Sequence, residues 1–416
     1  MTDVLPAQPW MTLPATAAVM DALARAGGED CARFVGGCVR NALMARPVKD
    51  IDIATRLTPG EVTAALRAAN LKAVPTGAAH GTITAVADGR PFEITTLRRD
   101  VETDGRRAVV TFTDDWGEDA ARRDFRLNAL YADRGGRLYD PTGGGLGDLR
   151  AGAIVFVGDA ATRIAEDALR ILRFFRFFAW YGRGEADDAS LAACEASRER
   201  VAGLSAERVA KELMAILAAE DPRRAVALMA GSGILALVLP AVRALDRFER
   251  LVAIETEMLF TEDPLLRLAS LLPGDPAAGG ATADRLRLSN ARRDRLVAAL
   301  GTRPPLVSWM SPRETRRTVY RLGDQAFRDR ATLAWAAGDR PAAATQWRAL
   351  LPMAATWPRP TLPLTGNEVV AAGVPRGPMV GKVLREIEAW WIDQDFIDDK
   401  LSVVERLKAV VQGMVY

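Results

Sequence analysis

Asp50 and Asp52 stand one residue apart, flanked by the apolar Ile51 and Ile53. On a strand, side chains at i and i+2 point to the same face, so the spacing predicts two carboxylates presented side by side. A third acid, Glu93, sits between Phe92 and Ile94 in another strand-like run. Three carboxylates on adjacent strands can hold two Mg²⁺ ions roughly 3.5–4 Å apart, which activate an attacking hydroxyl and neutralise a leaving pyrophosphate. Upstream, Gly36-Gly37 divides an apolar run from a helix-like one, and a glycine turn opening a helix can hold a phosphate. Arg40, one turn further on, would add charge-assisted bonds to the same phosphates. Together these residues describe a site for a nucleoside triphosphate and its divalent metals. Each also has a plainer reading: a solvated strand end, an edge-strand charge, a simple turn, a surface cation.

Two further clusters carry side chains that can recognise a nucleotide. In Arg122-Arg123-Asp124-Phe125, followed by Asn128 and Ala129, Arg123 and Asp124 could grip a triphosphate or a ribose hydroxyl. The plainer reading is a charged helix start with Phe125 in the core. In Glu166-Asp167-x-x-Arg170, with Arg173 and Arg176 at three-residue steps, the residues share one broad face of a helix. They are either a salt-bridge stripe, Asp167 to Arg170, or a reader of a base edge. A carboxylate accepts from an exocyclic amine and a guanidinium donates to a ring nitrogen. Cytosine and adenine both offer that pair of groups; guanine and uracil offer a carbonyl and an N–H instead.

These residues need a scaffold. At 416 residues the chain is long enough for two to four domains. Helical periodicity marks 14–27 and roughly 38–46, and Thr58-Pro59 reads as the capped start of a helix to Asn70. Short strands are expected at Ala32–Val35, Ile51–Ala54, Thr82–Ala87 and Phe92–Thr96, the last two joined by an Asp88-Gly89 turn. From Asp159 onward the pattern is helical, with 159–181 read as one long helix. Breaks at Gly182–Asp188, Gly231–Gly233, Pro273–Gly280 and Pro304–Pro305 separate later segments. The Ala-rich stretches 274–282 and 341–345 read as loops or short helices.

Bulk properties remove several classes. Net charge is only +2, which excludes a strongly basic tail but leaves room for a local basic groove. No apolar run is long enough to span a bilayer, and the N-terminus lacks a secretory pattern. Cys31, Cys38 and Cys194 show no paired spacing, which points to a reducing cytoplasm. His80 is the single histidine. It cannot build a multi-His site, so zinc is disfavoured and a hard, oxygen-bound cation such as Mg²⁺ suits the chain. A serine-histidine hydrolase would have to use His80 without a nucleophile motif.

In order, VGGCVR (35–40), KDIDIAT (49–55), HGTITAV (80–86), FEITTLR (92–98), RRDFRLNAL (122–130), YDPTGGGLGDL (139–149), IAEDALRILRFFRF (164–177) and SAERVAKEL (205–213) resemble the class II tRNA nucleotidyltransferases. That family comprises the bacterial CCA-adding enzymes and poly(A) polymerases of the DNA polymerase beta superfamily. The resemblance is close over about residues 30–215 and highly specific; the rest is similar only as a helical body and tail. It implies an α+β fold: a polymerase-beta-like head with a mixed sheet (1–150), then an all-helical neck that recognises the base (151–220), body (221–340) and RNA-binding tail (341–416). It implies Asp50, Asp52 and Glu93 as catalytic metal ligands for Mg²⁺. Gly36, Gly37, Arg40, Arg123, Asp124, Asn128, Asp167, Arg170, Arg173 and Arg176 are implied as nucleotide contacts, with Asp167 and Arg170 as the amino-acid template. Residues 98–116 match a flexible loop that helps to switch from CTP to ATP, and SAERVAKEL matches a helix that braces the base-reading one. In the tail, Arg376 and Lys382 could meet RNA backbone or simply pack on the surface.

The implied activity is completion or repair of the 3′-terminal CCA of tRNA from CTP and ATP, with no membrane and no protein partner implied. Alternatives that share the same motifs are a poly(A) polymerase, an enzyme adding only CC or only A, and a non-catalytic RNA-binding homologue. The chain departs from the pattern at Asn41, where the family usually carries Asp. The single histidine argues against the histidine-aspartate phosphohydrolase domain that some relatives carry.

Overall fold

The computed structural model describes residues 4–77, 81–104, 107–242, 244–338, 343–397 and 399–413. His80 lies outside them. The chain divides into two compact units, Met1–Pro240 and Ala241–Tyr416.

The first unit is built on strands β1 (Ala32–Val35), β2 (Ile51–Thr55), β3 (Lys72–Gly77), β4 (Thr82–Ala87), β5 (Arg90–Thr96), β6 (Arg98–Asp104), β7 (Arg107–Phe112), β8 (Tyr131–Ala132) and β9 (Leu138–Tyr139). Seven of them form a mixed sheet in the order β3-β4-β5-β2-β1-β8-β9; β6 and β7 pair separately. The pair β2–β5 is parallel, and its register sets Asp52 beside Glu93. In β2, Ile51, Ile53, Ala54 and Thr55 are buried and only Asp52 is half-buried, so the strand is covered on both faces except at the acid. Strands β4 and β5 are joined by Asp88 and Gly89, both at positive φ (49° and 73°), as a tight hairpin turn requires.

Helices α1 (Pro14–Gly27), α2 (Gly37–Leu43), α3 (Pro59–Ala68), α4 (Trp116–Ala121), α5 (Gly145–Ala151), α6 (Ala160–Glu166), α7 (Leu169–Tyr181), α8 (Asp188–Ala196), α9 (Ala206–Leu217), α10 (Arg223–Gly231) and α11 (Ile234–Val238) complete the unit. Local chemistry fixes several of their starts. Thr58 and Glu61 form a reciprocal capping box with Pro59 at the first helical position. Helix α7 buries Ile171, Leu172, Phe174, Phe175 and Phe178, packs against α9 and α10, and joins an aromatic cluster in which Phe125 lies 4.8 Å from Phe156 and 5.1 Å from Phe177 between ring centroids.

One sequence expectation is corrected here. The run 159–181 is not one helix: it breaks at Asp167, whose backbone is extended (φ −151°, ψ 106°). The Asp167 carboxylate accepts from the Leu169 amide at 3.0 Å and so offers the backbone a capping bond in place of a continued helix. The stretch 98–116, matched to a flexible loop, carries secondary structure: β6 and β7 pair antiparallel from Arg98–Phe112 to Asp104–Arg107, and α4 follows. Strand β3 was not expected.

In the second unit, ten helices run from Asp246–Met258 to Lys400–Gln412 among the described residues. One core gathers Tyr320, Val369, Val383, Ile387, Trp391, Val403 and Leu407. Another part of this unit buries the ion pair Arg267–Glu255 at 2.6 Å. No helix of the described residues is long and apolar enough to cross a membrane.

Candidate active site

A cavity of about 480 Å³ in the first unit is lined by Gly36, Gly37, Arg40, Asp52, Arg122, Arg123, Asp124, Asn128, Asp167, Leu169, Arg170, Arg173, Phe177 and Arg208. Ten of the residues singled out from sequence therefore meet around one space, although they come from the β1–α2 turn, β2, the segment after α4, the α6–α7 break and α7. The Gly36 turn favours glycine because its backbone sits at φ +70° and ψ −120°, a conformation that side-chain-bearing residues rarely adopt.

Arg123 is fixed from behind. It donates to Asp119 Oδ2 at 2.9 Å, and Arg122 donates to the other oxygen of the same carboxylate. Tyr131 also donates its hydroxyl to Asp119 at 2.7 Å. Burial alone would raise the Asp119 carboxyl, but the Arg123 and Arg122 guanidiniums and the Tyr131 hydroxyl outweigh it and hold it at about 2. Asp124 accepts from the Phe125 amide, from Asn128 Nδ2 and from Arg173 Nε. Asn128 in turn accepts from Arg40, so a continuous polar chain runs from α2 to α7.

Asp52 is the acid on the cavity floor. Burial and then the neighbouring Glu93 push its carboxyl up to about 6, against Arg123; Asp50 adds to the rise. Beneath it the buried Cys38 thiol donates to the Asp52 carbonyl oxygen, a packing role. Asp50, just before β2, and Glu93, on β5, are exposed and do not line the cavity. Among the described residues no three His, Cys, Asp or Glu side chains are gathered as a ready metal cage. Of the three expected carboxylates only Asp52 lines the cavity; the parallel register sets Glu93 beside it, and the charges of Glu93 and Asp50 both act on it. The donor set is nevertheless all oxygen, and Mg²⁺ in such sites is held by one or two carboxylates together with substrate phosphates. Asp52 and its neighbours Asp50 and Glu93 suit that ion.

At the far side, Asp167 and Arg170 do not pair with each other, as the plainer salt-bridge reading would have them do. Asp167 pairs with Arg208 of α9 at 2.6 Å, and Arg170 pairs with Glu166 while donating to the carbonyl oxygens of Arg163 and Arg122. Each is held by other partners and both face the cavity. Arg176 does not: it turns to Glu212, at 3.0 Å. Arg122, Phe177 and Arg208 line the space without having been singled out, and Asp119, Tyr131 and Tyr181 support it. Arg208 lies in SAERVAKEL, so its motif was legible although its contact was not.

A larger cavity of about 650 Å³ lies in the second unit, beside Leu259, Phe260, Asp263 and Asp329. Its acids are already neutralised, Asp329 and Asp263 by Arg295 and Glu255 by Arg267, and it gathers no comparable chemistry.

Residues 32–155 match the family described as "Poly A polymerase head domain", and 186–245 match "Probable RNA and SrmB- binding site of polymerase A". The mitochondrial CCA tRNA nucleotidyltransferase 1 of Mus musculus is 31% identical over 383 residues, covering 90% of this chain and 86% of the relative. The CCA-adding enzyme of Geobacillus stearothermophilus is 37% identical over 224 residues, covering 53% and 54%. Among solved structures, the Bacillus stearothermophilus CCA-adding enzyme in complex with CTP superposes with a TM-score of 0.77 at 26% identity, covering 97% of this chain and 100% of that one.

Proposed function

The chain belongs to the class II CCA-adding tRNA nucleotidyltransferase family, and we propose that it completes or repairs the 3′-terminal CCA of tRNA by transferring nucleotides from CTP and ATP. The observation that carries this reading is the single cavity in which a strand-end acid, a glycine turn, a row of arginines and the Asp167–Arg170 edge face one another. The relatives' names supply the tRNA and the CCA product, and the Bacillus stearothermophilus complex supplies CTP as a bound nucleotide.

In the reaction the terminal 3′-hydroxyl attacks the α-phosphate in line and pyrophosphate leaves. Asp50, Asp52 and Glu93, with the triphosphate, would hold Mg²⁺, which would supply hydroxyl activation and charge neutralisation when bound. The side chains bind and orient. Arg40 and Arg123 face the phosphates over Gly36-Gly37. Asp124 and Asn128 set the ribose side of the cavity, and Arg173 holds Asp124 in place. Asp167 has a lone pair left after its bonds to Leu169 and Arg208, so it can accept from the N4 or N6 amine. Arg170 keeps Nε free of the contacts to Glu166, Arg163 and Arg122 and can donate to the ring nitrogen. Arg176 acts one step back, through Glu212.

On this reading 1–150 is the catalytic head, 151–220 the base-recognising neck, 221–340 the body and 341–416 the RNA-binding tail. The three buried free cysteines support a reducing compartment, the cytoplasm, whereas the Mus musculus relative is named as mitochondrial. The deciding assay offers a tRNA lacking its terminal CCA to the protein with CTP alone, ATP alone and both. Addition of two C and then one A, each dependent on its own nucleotide, is expected. A ladder of A residues with ATP alone would assign a poly(A) polymerase instead, and no incorporation would leave only RNA binding.

A further inference from the structure

The cavity is lined by six arginines and three aspartates, and the arginines differ in one respect. Arg122 and Arg123 pair with Asp119, Arg170 with Glu166, Arg173 with Asp124 and Arg208 with Asp167. Arg40 alone, among the described residues lining the cavity, has no carboxylate in ion-pair range. It is also the most deeply held of the cationic groups near the Gly36-Gly37 turn, only 8% exposed. Its partners are all neutral: Asn41 Oδ1 accepts from both Nε and Nη2 (3.2 and 3.0 Å), Asn128 Oδ1 from Nη1, and the Tyr181 hydroxyl from Nη2 at 2.8 Å. Tyr181 and Phe177 cover its faces, with ring centroids 4.1 and 5.3 Å away. Of five guanidinium N–H groups this cage occupies four and leaves one on Nη1. Two carboxylates act on Arg40 from beyond ion-pair range: Asp124, committed to Arg173, Asn128 and the Phe125 amide, and Asp52 on the cavity floor.

A buried charge is ordinarily paired, because desolvation without a counter-charge is costly. Here the cage satisfies orientation and withholds the charge. Asn41 does most of this: one amide oxygen takes two guanidinium hydrogens, while its Nδ2 donates to the Pro47 carbonyl at 3.1 Å and fixes which end of the amide faces Arg40.

We infer that Asn41 is a positioning residue that keeps Arg40 aimed at the cavity and without an ion-pair partner of its own, so that the polyphosphate of the incoming nucleotide becomes that partner. The inference rests on the reading of the cavity as the nucleotide site. It assigns Asn41 to affinity for the triphosphate, shared by CTP and ATP, and not to the choice between bases.

The isosteric Asn41→Asp gives Arg40 a resident carboxylate. Equilibrium binding and KM are measured for CTP and for ATP, beside the melting temperature of the nucleotide-free protein. Asn41→Ala, which removes orientation without adding charge, and Arg40→Met are measured alongside. Asn41→Asp should weaken both nucleotides about tenfold, the scale of one charge-assisted contact. It should do so with little change in kcat and with a higher nucleotide-free melting temperature, and Asn41→Ala should weaken them by no more than about threefold. Unchanged affinity in Asn41→Asp, with a clear loss in Arg40→Met, overturns the inference and leaves the cavity reading in place. Unchanged affinity in Arg40→Met removes Arg40 from the phosphate site, and the inference with it. Equal losses in Asn41→Ala and Asn41→Asp overturn the charge argument, because orientation alone would then account for both.

Discussion

Asp52 joins the chemistry to a measurable titration. Burial and Glu93 raise its carboxyl from 3.8 to about 6 in the folded protein, so the native state holds a proton that the unfolded chain has released. Without metal, this residue therefore costs stability progressively as pH rises from about 4 to about 6. Asp52→Asn removes that cost, and its melting temperature should overtake that of the wild type across the same window. Added Mg²⁺ should raise the wild-type melting temperature at pH 8 far more than at pH 4.5; equal shifts at the two pH values would argue against Asp52 as a ligand. Asp50→Ala and Asp52→Ala should each abolish incorporation of both nucleotides with the fold intact, and near-normal turnover in either would remove it from the reaction. Asp119 has the opposite sign. Its carboxyl is depressed from 3.8 to about 2, a contribution present above the unfolded value and lost as pH falls through about 2. At about 1.4 kcal/mol per tenfold, Asp119→Asn should lower stability by on the order of 2 kcal/mol in urea unfolding, and it should raise KM for CTP by loosening Arg123.

At the scale of the element, the break between α6 and α7 sets what Asp167 can do. A continuous helix would point its carboxylate along the α7 surface; the extended residue instead presents it at the α7 start, braced by Arg208. Asp167→Ala should raise misincorporation of UTP and GTP relative to CTP by roughly 10–10²-fold, since one of the two charged hydrogen bonds that discriminate is removed while Arg170 keeps the other. An unchanged ranking in kcat/KM for the four triphosphates would assign Asp167 to helix capping alone. The hairpin β6–β7 carries a separate expectation: shortening it should impair A addition more than C addition, and equal losses would detach it from the nucleotide switch. What was legible in the sequence tracks locality. Pro14, the Thr58-Pro59-Glu61 cap and the Asp88-Gly89 turn act on their own neighbours, so their elements could be read directly. The Asp167 break has no glycine or proline to announce it; a side chain bonding two residues on makes it. Arg208 and Tyr181 reach the site through contacts 41 and 141 positions apart in the chain, and a single sequence carries no sign of such pairs.

For the whole molecule, a net charge of +2 coexists with a cavity lined by six arginines and three aspartates. Attraction for polyanions is thus concentrated at one place, and nucleotide KM should rise with salt while solubility changes little. The division into units gives a second test. Residues 1–240 alone should fold and bind CTP, whereas extension of tRNA should demand a much higher RNA concentration than with the full chain; an unchanged KM for tRNA would detach the second unit from RNA binding. The parallel pairing of β2 with β5 carries a consequence for how the protein is born. Strand β1 can pair with β2 soon after both leave the ribosome, but Asp52 acquires Glu93 as its neighbour only after α3, β3 and β4 have been made, and β1 waits until Tyr131 for its other edge. Synthesis therefore delivers the first acids well before their surroundings, and a nascent chain stalled near residue 90 would carry the aspartates without a working centre.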